Sequence, residues 1–399
     1  MDDYIFFALA LFAFSVVFSV TVVQGALFLA LLLLLVKKYR ENALSGLLPS
    51  LYKHTLFMPW MVYLGVCLLT ALTAYYPYKG LGQLNSDFLK YVCLSTLLLA
   101  VKKEHLPKIS AAYTLAATVA ALIGIGEVIW SAYTGETVLT RANAFMNAVR
   151  YGEVMGIALM LVLSRLIIPV QDAFRGENVL YKFAVVPVFV ALVLSQTRGS
   201  YLGLAVGLAV MLYFGSPSRK QVLAYSTALA IIGAIVLSMT PAIRHRMTAM
   251  ISRDASAMAL DSPDTAINIR LELWKLGGQM FKAHPALGIG PDNVKKVFKK
   301  FHPEPIGYEE TWGSLHNLYI HQAAERGLVG LGALALLFTA FLLFALGNFK
   351  AAPGPYTLWA LCALPAYYAM NITEISFQHV HTAFAIFMAM AFSSAAKEV

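Results

Sequence analysis

Charge is what this sequence has least of. Asp, Glu, Lys and Arg make up 13% of its 399 residues, where a soluble domain carries about 25%. That shortage excludes an ordinary soluble globular protein. Cysteine is nearly absent too. Cys67, Cys93 and Cys362 all lie inside apolar runs, without CxxC or other metal spacing. That argues against a zinc site or a disulfide framework and for three small buried apolar residues. Only Met1, Asp2 and Asp3 precede the first apolar run, with no basic region and no small-residue cleavage site. A removable signal peptide is therefore not expected, and the first helix is expected to be retained.

What is present is apolar. Hydrophobic residues are 59% of the chain and the mean hydropathy is +0.69. Tyr4 to Val36 is too long for one span and reads as two helices with a turn near Thr21–Gly25. Further spans read as Leu56–Tyr75, Leu84–Val101, Ile109–Trp130, Val149–Val170, Phe183–Thr197, Tyr201–Phe214 and Val222–Met239. A polar stretch from Thr240 to Leu315 follows, then Leu328–Leu346, Thr357–Ile372 and Phe377–Phe392. The expectation is an all-α polytopic membrane protein of about twelve spans. It divides into spans over 1–239, a loop subdomain over 240–315 and spans over 316–399.

Lysine and arginine orient it. The net charge is +9. Alternate short loops carry Lys37, Lys38 and Arg40, then Lys102, Lys103 and Lys108, then Arg175 and Lys182, then Arg219 and Lys220, then Lys350. The positive-inside rule puts these loops, and both termini, in the cytoplasm. Arg141, Arg150 and Arg198 then fall on the opposite side, with the long basic loop. One such arginine reads as an interfacial snorkeller; three together read as a site for phosphate. Asn371, Glu374, His379 and His381 gather near the same outer end. Asp87 and Lys90, one turn apart, read as a local ion pair or part of a cavity wall.

The loop holds two helical patterns. Ile267, Leu271, Trp274 and Phe281 make Ala266–Lys282 amphipathic, with Arg270 at the border of the stripe. Val294, Val297, Phe298 and Phe301 make a second helix whose other face is Lys295, Lys296, Lys299 and Lys300. It suits an anionic membrane surface, or packing on its own subdomain with a solvated lysine face. Between them His284-Pro285-Ala286-Leu287-Gly288-Ile289-Gly290-Pro291 is a breaker-rich turn. It lacks the Lys-Ser/Thr ending of a phosphate loop. His316 and Asn317 close the loop where it meets the membrane.

These pieces, in this order, resemble the O-antigen ligase and polymerase superfamily. Ser195-Gln196-Thr197-Arg198-Gly199-Ser200-Tyr201-Leu202-Gly203 is similar to its arginine motif. Arg270-x-x-x-Trp274 and Pro285-x-x-Gly288-x-Gly290 match its large periplasmic loop. Ser314-x-His316-Asn317-x-Tyr319, followed by His321 and Glu325-x-Gly327, matches the segment closing that loop. Arg141-Ala142-Asn143-Ala144-Phe145-Met146-Asn147 looks like a further arginine loop. The resemblance covers residues 130–345. It implies a GT-C-like membrane glycosyltransferase of the bacterial inner membrane, acting at the periplasmic face. The implied reaction moves a polysaccharide from undecaprenyl pyrophosphate to lipid A-core. Membrane lipids are then partners, and nucleotide, nucleic acid and metal cofactor are not.

On that reading His316 is the base for the acceptor hydroxyl. Arg198 and Arg270, with Arg141 behind them, meet charge growing on the pyrophosphate. Asn317, Tyr319, His321, Tyr201 and the four lysines 295, 296, 299 and 300 are the expected substrate-binding side chains. Direct attack at the anomeric carbon would invert it. The rivals are an O-antigen polymerase, a protein O-glycosylation ligase and, in a different class, a lipid or glycan transporter. The transporter reading predicts ionisable residues deep in several spans; few are apparent from the sequence.

Overall fold

A computed structural model describes residues 1–134, 141–169, 174–215, 219–239 and 263–397. Within them are fifteen α-helices and no strand. They are α1 (Asp2–Ser15), α2 (Val20–Arg40), α3 (Leu47–Tyr52), α4 (Phe57–Leu72), α5 (Pro77–Ala100), α6 (Leu106–Thr134), α7 (Ala148–Ile167) and α8 (Glu177–Leu194). The chain continues through α9 (Arg198–Phe214), α10 (Arg219–Met239), α11 (Pro263–Ala283), α12 (Val294–Phe301), α13 (Leu318–Ala351), α14 (Pro355–Met370) and α15 (Val380–Lys397). The first part of the long polar stretch, 240–262, and residues 135–140 of the Arg141 loop lie outside the described residues.

Each apolar run read as a span contains a helix. Five of them (α2, α6, α8, α13 and α15) are long and apolar enough to cross a membrane; α3 with α4, bent by 82°, adds a sixth if counted as one span. The chain is thus an all-helical, multi-pass membrane protein. The full dozen goes beyond what length and composition establish, because helices such as α5 carry polar side chains on their inner face. The first break also falls earlier than expected. It lies at Val16–Ser19, where the Ser19 hydroxyl caps α2 by accepting from Val22 N, and Gly25 sits inside the helix.

α7, α14 and α15 are buried along most of their length. Against α14 packs α9, through a stripe of Gly199, Gly203 and Gly207. A methyl on Gly203 would run into Met370 and the Ala366 carbonyl, and one on Gly207 into Met160. Small residues at this spacing let two backbones approach where no hydrophobic effect drives helices together.

The two ends of the bundle differ. At one end Asp2 accepts from Lys37 at 2.5 Å and from Lys102 at 2.8 Å, tying the start of α1 to the ends of α2 and α5. At the other, His381 Nδ1 lies 2.6 Å from Val16 O, joining the end of α1 to the start of α15. The loop helices belong to this second end. They form a smaller core of Leu273, Leu276, Met280, Val294, Phe298 and Leu315.

The loop is clipped to the bundle by backbone. α13 is broken at Gly327, with φ 62° and ψ −162°. The freed carbonyls of Ala324 and Glu325 accept from Ile289 N (3.0 Å) and Gly290 N (2.9 Å), and Leu328 N donates to Pro285 O at 2.8 Å. Ile289 O in turn accepts from Tyr75 N, and Asn293 Oδ1 from Tyr76 N. The glycines of the breaker-rich turn and of Glu325-x-Gly327 are therefore two halves of one joint. A methyl on Gly327 would run into Ala286 O. Gly327→Ala is expected to lose about 1–3 kcal/mol of stability, read as a lower melting temperature in detergent. Gly332→Ala, helical and facing open space, should melt no lower than the parent.

The reading of few interior ionisable residues needs correction. Asp87 accepts from Lys90 at 2.9 Å and from Arg326 at 2.8 Å, all three about 1% exposed. Arg165 pairs with Glu177, and Glu153 is fully buried. The cause is helix extent. Spans starting at Leu84 and Leu328 would leave Asp87 and Arg326 at the rim, but α5 starts at Pro77 and α13 at Leu318. Asp87 is met by Lys90 and Arg326, and Arg165 by Glu177, as burial of charge in low dielectric requires.

Candidate active site

The site is built on the turn between α14 and α15, residues 371–379. Asn371 shapes it: its Oδ1 accepts from Phe377 N at 3.0 Å and its Nδ2 donates to Tyr367 O. The start of α13 docks here, with Leu318 N donating to Asn371 O (2.9 Å) and Glu374 O (3.0 Å). Asn317 caps that helix, accepting from Tyr319 N and Ile320 N. His316 immediately before it is left-handed, φ 47°, an uncommon conformation for a residue with a side chain.

That backbone delivers the imidazole to Glu374. His316 Nδ1 lies 3.0 Å from Glu374 Oε2. The other oxygen, Oε1, accepts from Arg270 Nη2 of α11 at 2.8 Å. One carboxylate thus holds a histidine from the loop's end and an arginine from the loop's long helix. Burial alone would push the Glu374 carboxyl up, but the hydrogen bond and charge of His316, with the Arg270 charge, outweigh it and hold it below its ordinary value. An ionised Glu374 accepts the hydrogen bond from Nδ1–H, so Nε2 is left with the lone pair. Glu374 is 8% exposed while His316 and Arg270 are about a quarter exposed. The carboxylate is buried and the groups it holds face outward.

Other groups close in. Trp312 stands edge-on to His316, ring centres 5.6 Å apart. His379, on the same turn, is pushed down to about 3 by burial and by the nearby Arg150 charge, so it is neutral near pH 7. Arg198 opens α9 and is exposed, with no hydrogen bond or ion pair among the described residues. Its neighbour Gly199 packs on Thr373, where a methyl would collide with the hydroxyl. Arg198 therefore emerges one residue from the contact with the Glu374 turn. The positive end of the α9 dipole adds to its charge.

Not every expected residue converges. Arg141 donates to Ser195 O (2.8 Å) and Thr197 Oγ1 (3.0 Å), bracing the segment that leads into Arg198. Tyr201 donates to Val193 O and Tyr319 to Tyr368 O. His321 is buried, with Nε2 3.4 Å from Glu325. Asn317 is spent on its cap. The four α12 lysines are exposed on their own face. Lys299 pairs with Glu310 at 2.8 Å, and Lys300 donates to Tyr75 at 2.8 Å over its ring. A Cβ on Gly313 would lie 3.8 Å from Lys295 Cβ, so that face begins three residues before His316. Glu374 as the bridge is the feature the sequence did not disclose.

Comparison with known proteins agrees with the motifs. Residues 183–335 match the family model of O-antigen ligase. That bears out the superfamily resemblance, whose members are glycosyltransferase-like enzymes working on lipid-linked glycans. An uncharacterized protein of Haemophilus influenzae is 26% identical over 200 residues, which is 48% of this chain and 50% of that protein. The match spans about half of each.

Proposed function

With residues 183–335 in the O-antigen ligase family, we propose that this protein transfers a polysaccharide from undecaprenyl pyrophosphate to lipid A-core at the periplasmic face of a bacterial inner membrane. The observation that carries the reading is the Glu374 carboxylate. It joins His316 and Arg270 at the bundle end where Arg198 emerges. The full reading has about twelve spans, with a periplasmic loop subdomain over 240–315.

Each residue has a task. His316 Nε2 takes the proton of the acceptor hydroxyl as it attacks the anomeric carbon. Glu374 holds the ring's tautomer and steadies the imidazolium that forms. The bond from sugar to pyrophosphate breaks, and the electron pair leaves on the phosphate oxygen. Arg198 meets that charge with its exposed guanidinium fork, and Arg270 with the part of its guanidinium that stays exposed beside Glu374. Guanidinium donors supply what a metal would otherwise supply. A single displacement inverts the anomeric centre. The α12 lysines, starting beside Gly313, suit a phosphate-rich acceptor.

The test is reconstitution of the purified protein with lipid-linked glycan and lipid A-core, with chelator and without nucleotide. Capped lipid A-core is the expected product. A ladder growing on the carrier would make it a polymerase. Donor crossing the bilayer without product would make it a transporter.

A further inference from the structure

Glu153 is a buried carboxyl side chain that the reaction above does not use. It lies on α7, fully buried. Its Oε1 accepts from Ser376 Oγ at 2.5 Å. Its Oε2 has no hydrogen-bond partner among the described residues. A carboxyl group in a bundle interior is costly, and such a group is retained where it serves the site.

Its position suggests what it serves. Ser376 is two residues from Glu374 on the turn between α14 and α15. The Ser376 carbonyl accepts from Thr382 Oγ1 at 2.6 Å, so Ser376 is gripped from both sides. The preceding residue, Gly152, packs on the other arm of the site. A methyl there would collide with Ser195 Oγ and come within 2.9 Å of Ser200 Oγ, the residues flanking Arg198. One helical step of α7 therefore touches both the turn that carries Glu374 and the segment that carries Arg198. Other holds on the turn include its own Asn371, the docking of Leu318 and the Thr382 hydroxyl.

We propose that Glu153 is a positioning residue for the transfer site. Through Ser376 it fixes the 371–379 turn, so that Glu374 meets His316 and Arg270 at once. The inference rests on the transfer reading above. Glu153 touches neither substrate nor reacting atoms; it acts by acceptor geometry.

The experiment compares Glu153→Ala, Glu153→Gln and Ser376→Ala in the reconstituted full chain, with melting temperature measured alongside. Glutamine keeps an oxygen for Ser376 and alanine does not. Glu153→Ala and Ser376→Ala are expected to lower kcat about ten- to a hundredfold, as loss of positioning by a fraction of an ångström does. The donor KM should hardly move, because the arginines remain. Glu153→Gln should keep most of kcat. If Glu153→Ala does not fold, Ser376→Ala decides alone. Unchanged kcat in folded Ser376→Ala, or Glu153→Gln as slow as Glu153→Ala, overturns the proposal. Parent protein that makes no product from any acceptor instead overturns the transfer reading, and this inference with it.

Discussion

Replacing His316 with alanine is expected to lower transfer by about 10²–10⁴-fold, the usual contribution of a positioned general base. The change removes the imidazole whose Nδ1 is bound to Glu374 and whose Nε2 is left for the acceptor. His316 is about a quarter exposed and makes no core contact that its loss would empty. The backbone is also relieved of little, because alanine meets the same left-handed strain at φ 47°. Melting temperature should therefore stay near the parent value while kcat collapses. Donor binding should survive, because the proposed mechanism has the arginines hold the pyrophosphate. The assay is initial rate against donor and acceptor concentration, with the protein in lipid.

Replacing Arg198 with lysine is expected to lower kcat/KM by about 10²-fold, the scale of losing one well-aimed donor to a developing anion. Charge is kept and the planar fork is lost. Arg198 is exposed at the first turn of α9, so the change disturbs no packing. By contrast Arg141→Lys should act indirectly. Arg141 spends Nε and Nη2 on Ser195 O and Thr197 Oγ1, so its loss loosens the segment on which Arg198 stands. Full turnover in Arg198→Lys would remove the bidentate pyrophosphate contact from the mechanism.

The helices were legible because crossing a lipid layer demands long apolar runs, and little else in a sequence looks like one. Their ends were not. Pro77 to Gln83 is polar enough to read as loop, yet it is helix, and the same helix turns Asp87 inward onto Arg326. Leu318 to Arg326 was hidden in the same way, behind a break that only Gly327 tolerates. Charge bias and motif order singled out Arg198, Arg270 and His316, and the structure brings Arg270 and His316 to one carboxylate. Glu374 was visible as an acidic residue at the outer turn, but not as the partner of a histidine 58 residues away. Pairing across that separation comes from the docking of Leu318 onto Asn371 and Glu374, which no local pattern encodes. Asn317, Tyr319 and His321 lie beside His316 in sequence, yet helix geometry turns them to a cap, to Tyr368 and into the interior.

The claim on which the rest depends is that Glu374 and His316 act as one unit. It is tested most directly by kcat for His316→Ala, Glu374→Ala and the double variant, under saturating donor and acceptor. Groups that act together are strongly non-additive. The account predicts a double variant about as slow as His316→Ala alone. Losses that multiply, with Glu374→Ala slowing the protein equally whether or not His316 is present, would contradict it.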